Sequence, residues 1–551
     1  MAVSDRRAGP AAGQQVTDER ACGEPLPISL VAHHVFCPRR AWLEAMGEKT
    51  GTHQMAVGLD DHHASDAPAA SRAGRLRAAG IASRYLGVIG RCDVVELDAA
   101  GAATVVEYKA TPVRRKAEVT APMTVQLALQ AQALRESGYD VKGAAVYFTD
   151  HQVRVPVPVG EPELELARLH ARQTAEVVAS TTAPAPLEDD PRCTRCSHAG
   201  ICLPDERDLG PVRRRVLVAD PDSQVLHLAT PGSRAFIRSG RIRVEKGREE
   251  IGSVPAERVM SLVVHGNVDV SSALIRELLW RGAPILWCSG TGRLVGWAAP
   301  AASPNGGPRV SQHVASASGH LGLAREFVAA KICNQATLLR RHGSAPATVS
   351  ELRDLQARAR LAPSLPELLG IEGDAAARYF SAFETMLTEA VRQAQGLKPD
   401  TRTRRPARDP VNAALNFCYG MLLADVTRAV VACGLDPHAG FLHSSGRNKP
   451  ALALDLSEEF RAPVADAVVI ASFNNGEVKV RDFTSITGST RLRDDGRAAL
   501  IRAYERRIMT EFRHPLFGYQ VTWRRAMEIQ ARLVLGVIDG TQGSYKGIAT
   551  R

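Results

Sequence analysis

Long apolar runs are missing from this 551-residue sequence. No uninterrupted apolar stretch reaches the roughly 18 residues that a membrane span needs, so no membrane association is expected. The polar beginning, MAVSDRRAGPAAGQQVTDER, lacks the apolar middle of a secretion signal, and the expected compartment is the cytoplasm. Aromatic residues are sparse at 5%, and no internal repeat is visible.

Disulfides are not expected either, because ten cysteines in an unsecreted chain are better explained as metal ligands and buried thiols. The sequence does contain 45% apolar residues, enough for real cores, and it is long enough for about three or four domains. Its net charge of +10 is uneven, with −4 on residues 1–210 and +14 on the remainder. A basic second half attracts polyanions such as nucleic acid, although many basic proteins bind none.

Composition and periodicity predict an α/β part, then a small β part, then a large α part. The α/β part, residues 27–205, follows a flexible tail over 1–26 and contains the hairpin LGVIGRCDVVELDAAGAATVVEYKA. Residues 206–212 are polar and aperiodic, and they are predicted to be a linker. A β domain over 213–298 and an α-helical domain over 309–551 complete the prediction.

The hairpin carries the first candidate site, with Asp93 on one strand and Glu107 and Lys109 on the other. Residues two apart on a strand project to the same face. The carboxylates would hold Mg²⁺ or Mn²⁺, and Lys109 would orient a water or offset charge. Glu-x-Lys is also frequent by chance, so the pattern equally describes a surface hairpin with an ion pair. Further candidates for the same groove and metal shell are Gln126, Gln130, and His62 or His63.

Four cysteines form a second pattern around this hairpin. Cys193, Cys196 and Cys202 make a compact trio, and Cys37 offers a fourth thiolate. Four converging thiolates suit either a [4Fe–4S] cluster or zinc. No thioredoxin-like strand–turn–helix surrounds the Cys-x-x-Cys pair. The remaining thiols are predicted to be buried or spare: Cys22, Cys92, Cys288, Cys333, Cys418 and Cys433.

Residues 27–205 resemble the RecB-like exonuclease of CRISPR adaptation, CRISPR-associated protein four. The shared features are the early Cys-Pro-Arg-Arg, a Gly-x3-His, the Asp…Glu-x-Lys hairpin, a glutamine helix and the final cysteine trio. The resemblance implies a PD-(D/E)xK fold, a structural [4Fe–4S] cluster rather than zinc, and single-strand 5′-to-3′ exonuclease activity. It assigns cutting to His62, Asp93, Glu107 and Lys109, with His63 as the alternative to His62.

A second candidate site lies in the helical part. Glu372 stands in LLGIEGDAAARYF, where flanking glycines predict a bend and Asp374 a helix cap. His443 lies in a loop rich in glycine and proline, and Asp455 and Glu458 are three apart, on one side of a helix. A histidine with carboxylates suits Mn²⁺ or Mg²⁺. The alternatives are a capping Asp455, a solvated Glu458 and a loop histidine without a ligand role.

Residues 213–551 resemble the integrase of CRISPR adaptation, CRISPR-associated protein one. DPVNAALNFCYGMLLADVTRAVVACGLDPHAGFLH and DLSEEFRAPVAD carry the resemblance. It implies Glu372, His443 and Glu458 as metal ligands, with Asp455 supporting them or replacing one. The remaining assignments are Asn416 and Tyr419 as residues that shape the site, and Arg447 and Lys449 as phosphate clamps.

Together the two resemblances predict a fusion that trims prespacer DNA and inserts it into the CRISPR array. The attack by a 3′-OH would be a transesterification. Expected partners are DNA (prespacer fragments and the leader–repeat), CRISPR-associated protein two, and a second copy of the chain. Two alternatives are a stand-alone repair nuclease acting on branched DNA, and a first half that is only a cluster-stabilised DNA-binding module.

Overall fold

The structure is a computed structural model that describes residues 24–48, 74–109, 116–207, 209–211, 224–395, 402–403, 406–444, 449–486 and 488–550. The predictions for Cys22, His62, His63 and Arg447, and for the tail before residue 24, fall outside these residues. The described chain divides into two compact units. One contains residues 24–35 and 74–175, and the other contains residues 36–48 and 176–550.

The first unit is built on a six-stranded mixed sheet. The predicted hairpin is confirmed, because Val88–Leu97 and Ala103–Lys109 pair antiparallel. The chain then passes through helix Ala121–Glu136 and returns as Val141–Phe148, parallel to the second hairpin strand. The other elements are strands Leu26–Pro27, Arg75–Ser83 and Val153–Val157 and helices Ile28–Phe36 and Glu161–Ala179.

Helix Ala121–Glu136 carries apolar side chains at helical spacing, and these explain its position against the sheet. Val125, Leu129 and Leu134 are almost fully buried in the core of this unit. Pro122 stands in its first turn, where the missing proline N–H has no intrahelical partner to lose. Gln130 is fully buried among these apolar residues, so its amide must find partners inside the protein.

A cysteine module, which we define as residues 36–48 and 176–207, belongs to the second unit. Its helix Pro38–Ala45 begins directly after Cys37, and Cys193–Arg195 and Ala199–Cys202 form two further short helical turns. Within the second unit, Glu48 is nearly fully buried. Its carboxylate oxygens Oε1 and Oε2 accept hydrogen bonds from Nη1 and Nη2 of Arg532 at 2.9 and 3.2 Å. The module is therefore joined to the helical part of the same unit by a buried, two-point ion pair.

The β part of the second unit consists of two four-stranded sheets. Helix Ser272–Trp280 packs among them, with Leu274 and Leu278 fully buried. Ser271 caps this helix by accepting the Leu274 N–H. The strands are Gln224–Leu228, Ser233–Arg238, Arg241–Lys246, Glu249–Pro255, Val259–His265, Asp269–Val270, Ile285–Cys288 and Leu294–Ala298.

The helical part surrounds helix Pro410–Ala432, which Asp409 caps by accepting the Asn412 N–H. This helix is long and apolar enough to cross a membrane, but it is mostly buried inside the protein, as in a core helix. The other main helices are Gly306–Ser318, Leu321–His342, Pro346–Leu361, Leu365–Ser381, Glu389–Gln395, Ala451–Phe460, Ala467–Asn474, Asp494–Ile508 and Trp523–Ile538. Two small hairpins pair Phe483–Ile486 with Ser489–Leu492 and Glu511–Arg513 with Gln520–Thr522.

The bend predicted around Glu372 is wrong. Helix Leu365–Ser381 runs through both glycines without interruption, and Ser364 rather than Asp374 caps it. Asp374 instead forms a surface ion pair with Arg378, one turn later. Tertiary burial of one helix face outweighs the low helix propensity of glycine, which is about 1 kcal/mol per residue.

Candidate functional site

The hairpin brings the three predicted nuclease residues together. Asp93 Oδ2 accepts the backbone N–H of Tyr108 at 2.9 Å, which holds the two strands at this point. Glu107 is nearly fully buried, and Lys109 Nζ lies 2.8 Å from its Oε1. The two side chains therefore share one face of the strand, as their spacing predicts.

Two glutamines from the following helix close over Glu107. Gln126 Nε2 donates to Glu107 Oε1 at 2.6 Å, and Gln130 Nε2 donates to Glu107 Oε2 at 3.1 Å. Burial and the charges of Glu107 and Asp93 raise the pKa of the neighbouring Cys92 thiol to about 12. The two carboxylates thus create a negative region, and the ammonium of Lys109 lies beside it.

The second site gathers residues from three separated segments around Lys331. Its ammonium touches Glu372 Oε1 and lies 2.8 Å from Glu458 Oε2. Glu458 is 1% exposed and also lies 2.8 Å from Arg461 Nη1. Although burial favours the neutral acid, Arg461 and Lys331 lower the pKa of Glu458 to about 2. This carboxylate is therefore charged at neutral pH.

His443 stands beside this pair of glutamates. Its Nδ1 lies 2.7 Å from Asp455 Oδ1, and its Nε2 lies 3.9 Å from Glu458 Oε1. Burial lowers the pKa of His443, but Asp455, Glu458 and Glu372 outweigh it and raise the pKa above its usual value. The second ring nitrogen thus faces the glutamates.

Asp455 is fully buried and organises the loop that carries His443. Its carboxylate accepts the backbone N–H groups of Phe441, Leu442 and His443 at 2.6, 2.9 and 2.9 Å. With the imidazole contact, this makes four interactions to one short segment. Asp455 therefore orients His443, as metal-site carboxylates commonly orient a ligating histidine.

Tyr419 and Asn416 lie on helix Pro410–Ala432 next to these charges. The Tyr419 hydroxyl donates to Asp466 Oδ1 at 2.7 Å, and the guanidiniums of Arg402 and Arg461 each lie 5.2 Å from its ring centre. Arg402 Nη2 donates to Asn416 Oδ1 at 2.6 Å. Burial raises the pKa of Asp466 to about 6. The Tyr419 ring thereby contacts both Arg402 and Arg461, and Arg461 in turn pairs with Glu458.

A π-helix, Arg461–Asp466, follows the helix that carries Glu458. Such widened turns are frequent at functional sites because they change the direction of side chains. Here the turn starts with Arg461, which contacts Glu458, and ends with Asp466, which accepts the hydroxyls of Tyr419 and Tyr379. Lys449, in contrast, is exposed just before that helix.

The four predicted cluster ligands line one pocket of the cysteine module. Its walls also include Phe36, Leu43, Leu187 and Pro204, so the thiols meet in an apolar environment. Burial and the neighbouring Cys37 raise the pKa of Cys193 to about 11, and burial raises that of Cys202 to about 12. Arg39 Nε donates to Cys202 Sγ at 3.2 Å. The four thiols that line this pocket are those of Cys37, Cys193, Cys196 and Cys202.

The geometry of these sites determines which of them suits a metal ion. Among the described residues, no three or more His, Cys, Asp and Glu side chains are arranged to hold a single metal ion. The chemistry of the second site nevertheless fits a cation. Neither buried oxygen of Glu458 makes an aligned hydrogen bond to another described residue, and an ammonium lies between the two glutamates. The all-sulfur set in its apolar pocket likewise fits an iron–sulfur cluster or zinc.

Sequence reasoning missed Lys331, Arg461 and Asp466. Lys331 interrupts the apolar helix sequence EFVAAKICNQATLL, and a lysine on a buried helix face needs an acidic partner. Arg461 follows Glu458 by three residues, the spacing of a helical ion pair. Both signals were visible in the sequence, whereas the partners of Asp466 lie in two other helices.

Comparison with known proteins agrees with this arrangement. Residues 226–506 match the family CRISPR associated protein Cas1, and residues 5–203 match the PD-(D/E)XK nuclease superfamily. A CRISPR-associated exonuclease Cas4/endonuclease Cas1 fusion from Geobacter sulfurreducens is 34% identical over 96% of this chain and 98% of its own.

Two solved structures share the fold. A CAS1 protein from Thermotoga maritima covers 59% of this chain and 99% of its own, with a TM-score of 0.51 and 22% identity. A chain of a Cas6-RT-Cas1–Cas2 complex covers 92% of this chain and 58% of its own, with a TM-score of 0.52 and 17% identity. The helical part of the second unit therefore has the Cas1 fold.

Both resemblances drawn from the sequence are confirmed, and the alternative of a stand-alone repair nuclease is not favoured. The relative aligns along nearly its whole length, so the order of the nuclease and endonuclease halves is the same in both chains. The protein belongs to the family of CRISPR-associated exonuclease Cas4/endonuclease Cas1 fusions, and its function lies in CRISPR adaptation.

Proposed function

We propose that the first unit trims the ends of prespacer DNA and that the helical half inserts the trimmed fragment into the CRISPR leader–repeat. The observation that carries the insertion step is the meeting of Glu372, His443 and Glu458 around Lys331. These residues come from three segments, and a cluster of buried acids with a histidine suits divalent-metal phosphodiester chemistry.

Insertion is a transesterification. The oxygen of the fragment's 3′-OH forms a bond to phosphorus while the bond from phosphorus to the 3′ oxygen of the repeat strand breaks. The hydroxyl proton ends on the departing oxygen, so bonds and charge balance. Glu372, His443 and Glu458 would hold Mn²⁺ or Mg²⁺, which when bound polarises the attacked phosphate.

The chain's own residues position the reaction. Asp455 fixes the His443 ring through Nδ1, which leaves Nε2 toward the glutamates. Arg461 offsets the buried charge of Glu458 and stacks over Tyr419, so it couples the acids to the helix that bears Asn416. We assign Asn416 and Tyr419 to shaping the site and Arg447 and Lys449 to binding DNA phosphates.

In the trimming site, Asp93 and Glu107 would hold the divalent ion. Lys109 and the amide of Gln126 surround Glu107 and would contact the scissile phosphate or the attacking water. By resemblance, His62 completes the ligand set and the activity is a single-strand 5′-to-3′ exonuclease. The supporting observation is the buried Glu107 on a central strand of the sheet, with side-chain contacts to Lys109, Gln126 and Gln130.

The four thiols of the cysteine module would hold a [4Fe–4S] cluster. Their apolar pocket and the Arg39 donor to Cys202 suit such a cluster, whose potential depends on hydrogen bonds to sulfur and on solvent exposure. The role would be structural, joining residues 36–48 to residues 176–207. Iron content and a brown absorbance band test this assignment against zinc.

Partners follow from the same family membership. We propose that the protein acts in the cytoplasm on prespacer fragments and the leader–repeat, as a homodimer that assembles with CRISPR-associated protein two. One neighbour in fold was solved in a complex named for Cas1 and Cas2. Fusion of trimming and insertion on one chain raises the effective concentration at the hand-off between them.

Reciprocal variants test the division of labour. The Glu107→Gln protein should no longer trim DNA ends but should still insert pre-trimmed fragments. The Glu458→Gln protein should trim normally but fail to insert. Each variant is the other's control, since both proteins are measured in both assays with Mn²⁺. Trimming that survives Glu107→Gln, or insertion that survives Glu458→Gln, would refute the corresponding assignment.

A further inference from the structure

An irregular segment over residues 544–550, which we call the strap, packs against the two helices that carry Lys331 and Glu458. Tyr545 and Ile548 of the strap are almost fully buried. A buried segment that is neither helix nor strand must find specific partners for its backbone groups. The hydrogen bonds of the strap therefore show which parts of the protein it holds together.

Glu459, the neighbour of Glu458, accepts hydrogen bonds from the strap. Its Oε2 accepts the Ile548 N–H at 2.7 Å, and its other carboxylate oxygen accepts the Tyr545 hydroxyl. Gln530 Nε2 donates to the same Oε2 at 3.0 Å. Consecutive residues of a helix point in directions about 100° apart. Glu458 can therefore face the insertion site while the fully buried Glu459 faces the strap.

Asn334 connects helix Leu321–His342 to the same place. It is 1% exposed and lies in the helical turn that follows the lysine of the insertion site. Its Nδ2 donates to the backbone carbonyls of Glu459 and Ile548 at 2.8 and 2.7 Å, and its Oδ1 accepts the Thr550 N–H at 2.8 Å. One buried side-chain amide therefore joins both helices and the strap.

Gly547 is the point where the strap comes closest to these helices. A Cβ at this position would lie 2.6 Å from Ala330 Cβ, 2.9 Å from the Glu326 carbonyl oxygen and 3.4 Å from Glu459 Cδ. The first distance is about 1 Å shorter than carbon atoms normally allow. Neither Ala330 Cβ nor the carbonyl oxygen can rotate away, because one is backbone and the other is attached directly to it. Only glycine therefore fits here without a shift of the strap or the helix.

We propose that the strap positions the insertion site by fixing the separation between Lys331 and Glu458. Ala330 precedes Lys331, Glu459 follows Glu458, and Gly547 lies between these two neighbours. Lys331 Nζ and Glu458 Oε2 are 2.8 Å apart. Catalytic groups must be held within about 0.5 Å of their productive geometry, so a shift at Gly547 would disturb the site. The inference rests on the proposed assignment of Glu458 to metal binding.

Gly547→Ala tests the proposal in the full-length protein, and Gly543→Ala is the matched control. Both glycines lie in the irregular stretch after helix Trp523–Ile538, but a Cβ at Gly543 would meet no described atom within 4 Å beyond its chain neighbours. A displacement of about 1 Å can reduce a reaction rate roughly 100-fold. We expect Gly547→Ala to reduce insertion by roughly 10- to 100-fold and to leave trimming unchanged, and Gly543→Ala to leave both unchanged.

Mn²⁺ binding distinguishes positioning from a general loss of packing. Differential scanning calorimetry in EDTA and in Mn²⁺ gives the melting temperature without metal and the increase that the metal produces. A general packing defect would lower the first value and leave the increase unchanged. We expect Mn²⁺ affinity to fall at least roughly tenfold, so the increase should be smaller in Gly547→Ala than in Gly543→Ala and the parent protein. The trimming site is the same in all three proteins, so the difference reports the insertion site.

Hydrogen exchange of the parent protein tests the same coupling without a change in the strap. Because linkage between two sites is reciprocal, Mn²⁺ should slow amide exchange in the strap more than in helix Ser272–Trp280 of the same unit. This preferential slowing should be absent in Glu458→Gln. The measurement decides the question even if Gly547→Ala does not fold.

Three results would overturn the strap proposal alone. They are equal insertion by Gly547→Ala and Gly543→Ala, equal Mn²⁺-induced increases in their melting temperatures, and strap exchange that Mn²⁺ slows no more than exchange in helix Ser272–Trp280. Failure of the proposed function looks different, because Glu458→Gln would then insert DNA and respond to Mn²⁺ as the parent protein does. That result would overturn the metal assignment and the strap proposal together.

Discussion

Lys331 should act as a built-in counter-ion for the insertion site, and Lys331→Met tests this. The side chain is 6% exposed and contacts two glutamates, of which Glu458 is fully buried. Removing one partner of a buried ion pair costs about 3–5 kcal/mol. Arg461 remains at 2.8 Å from Glu458 and Glu372 retains some solvent, so we expect a loss of about 3 kcal/mol in EDTA.

This loss corresponds to a fall in melting temperature of up to about 6 °C, at roughly 2 °C per kcal/mol for a large unit. A divalent ion that binds the folded state at 100 times its Kd restores about 2.7 kcal/mol. Mn²⁺ should therefore bring Lys331→Met close to the parent protein, and it should raise the melting temperature of the variant more than that of the parent.

The assay is differential scanning calorimetry in EDTA and in Mn²⁺. Lys546→Met is the matched control, because Lys546 forms an exposed ion pair with Glu326 that is worth about 0–1 kcal/mol. An unchanged melting temperature of Lys331→Met in EDTA would refute the counter-ion role. Equal Mn²⁺-induced shifts in Lys331→Met and the parent protein would also refute it.

Three further predictions concern other buried ionisable groups. Arg532→Met strands the buried Glu48 and should cost about 3–5 kcal/mol, seen as faster amide exchange throughout the cysteine module; unchanged exchange would contradict it. Asp455→Asn should lower Mn²⁺ affinity and the insertion rate by roughly 10- to 100-fold because His443 loses its orientation. Trimming should be unchanged when both activities are measured over a range of Mn²⁺ concentrations, and an equal loss of trimming would contradict this role. Burial and His227 lower the pKa of His265 to about 3, so below about pH 6.5 the unfolded chain binds more protons than the folded protein, and the protein loses stability as the pH decreases. His265→Gln should therefore remove about 2 kcal/mol of the stability lost between pH 7 and pH 5, as measured by denaturant unfolding. An unaltered dependence of stability on pH would exclude His265 as the source.

Local patterns were sufficient to predict the nuclease hairpin. Alternating apolar residues on both sides of a turn specify paired strands, and the Glu-x-Lys spacing then determines which side chains share a face. The carboxylate and amide contacts of Glu107 follow directly from that register and the next helix. At this hairpin the local sequence pattern and the tertiary structure agree.

Prediction failed where distant contacts decide the structure. Glycines near Glu372 indicate a bend locally, yet burial of Ile371 and Ala375 maintains a continuous helix. The contact between Glu48 and Arg532 joins residues 484 positions apart, and no periodicity reveals such a pair. Family resemblance supplied the proposed ligand sets, but the two acids that Lys331 compensates, Glu372 and Glu458, became visible only once the helices were placed.

The assignment of the cysteine module to the second unit has a consequence for separating the two activities. The chain crosses between the units three times, after residue 35, before residue 74 and near residue 175. A single protease cut in residues 206–212 severs none of these crossings, so the sheet unit would stay covalently linked to the cysteine module, and the module would be held to the rest of the second unit by noncovalent contacts such as that of Glu48 with Arg532. Liberating the sheet unit as a free nuclease would require three separate cuts, and truncation at residue 205 would remove the partner of Glu48.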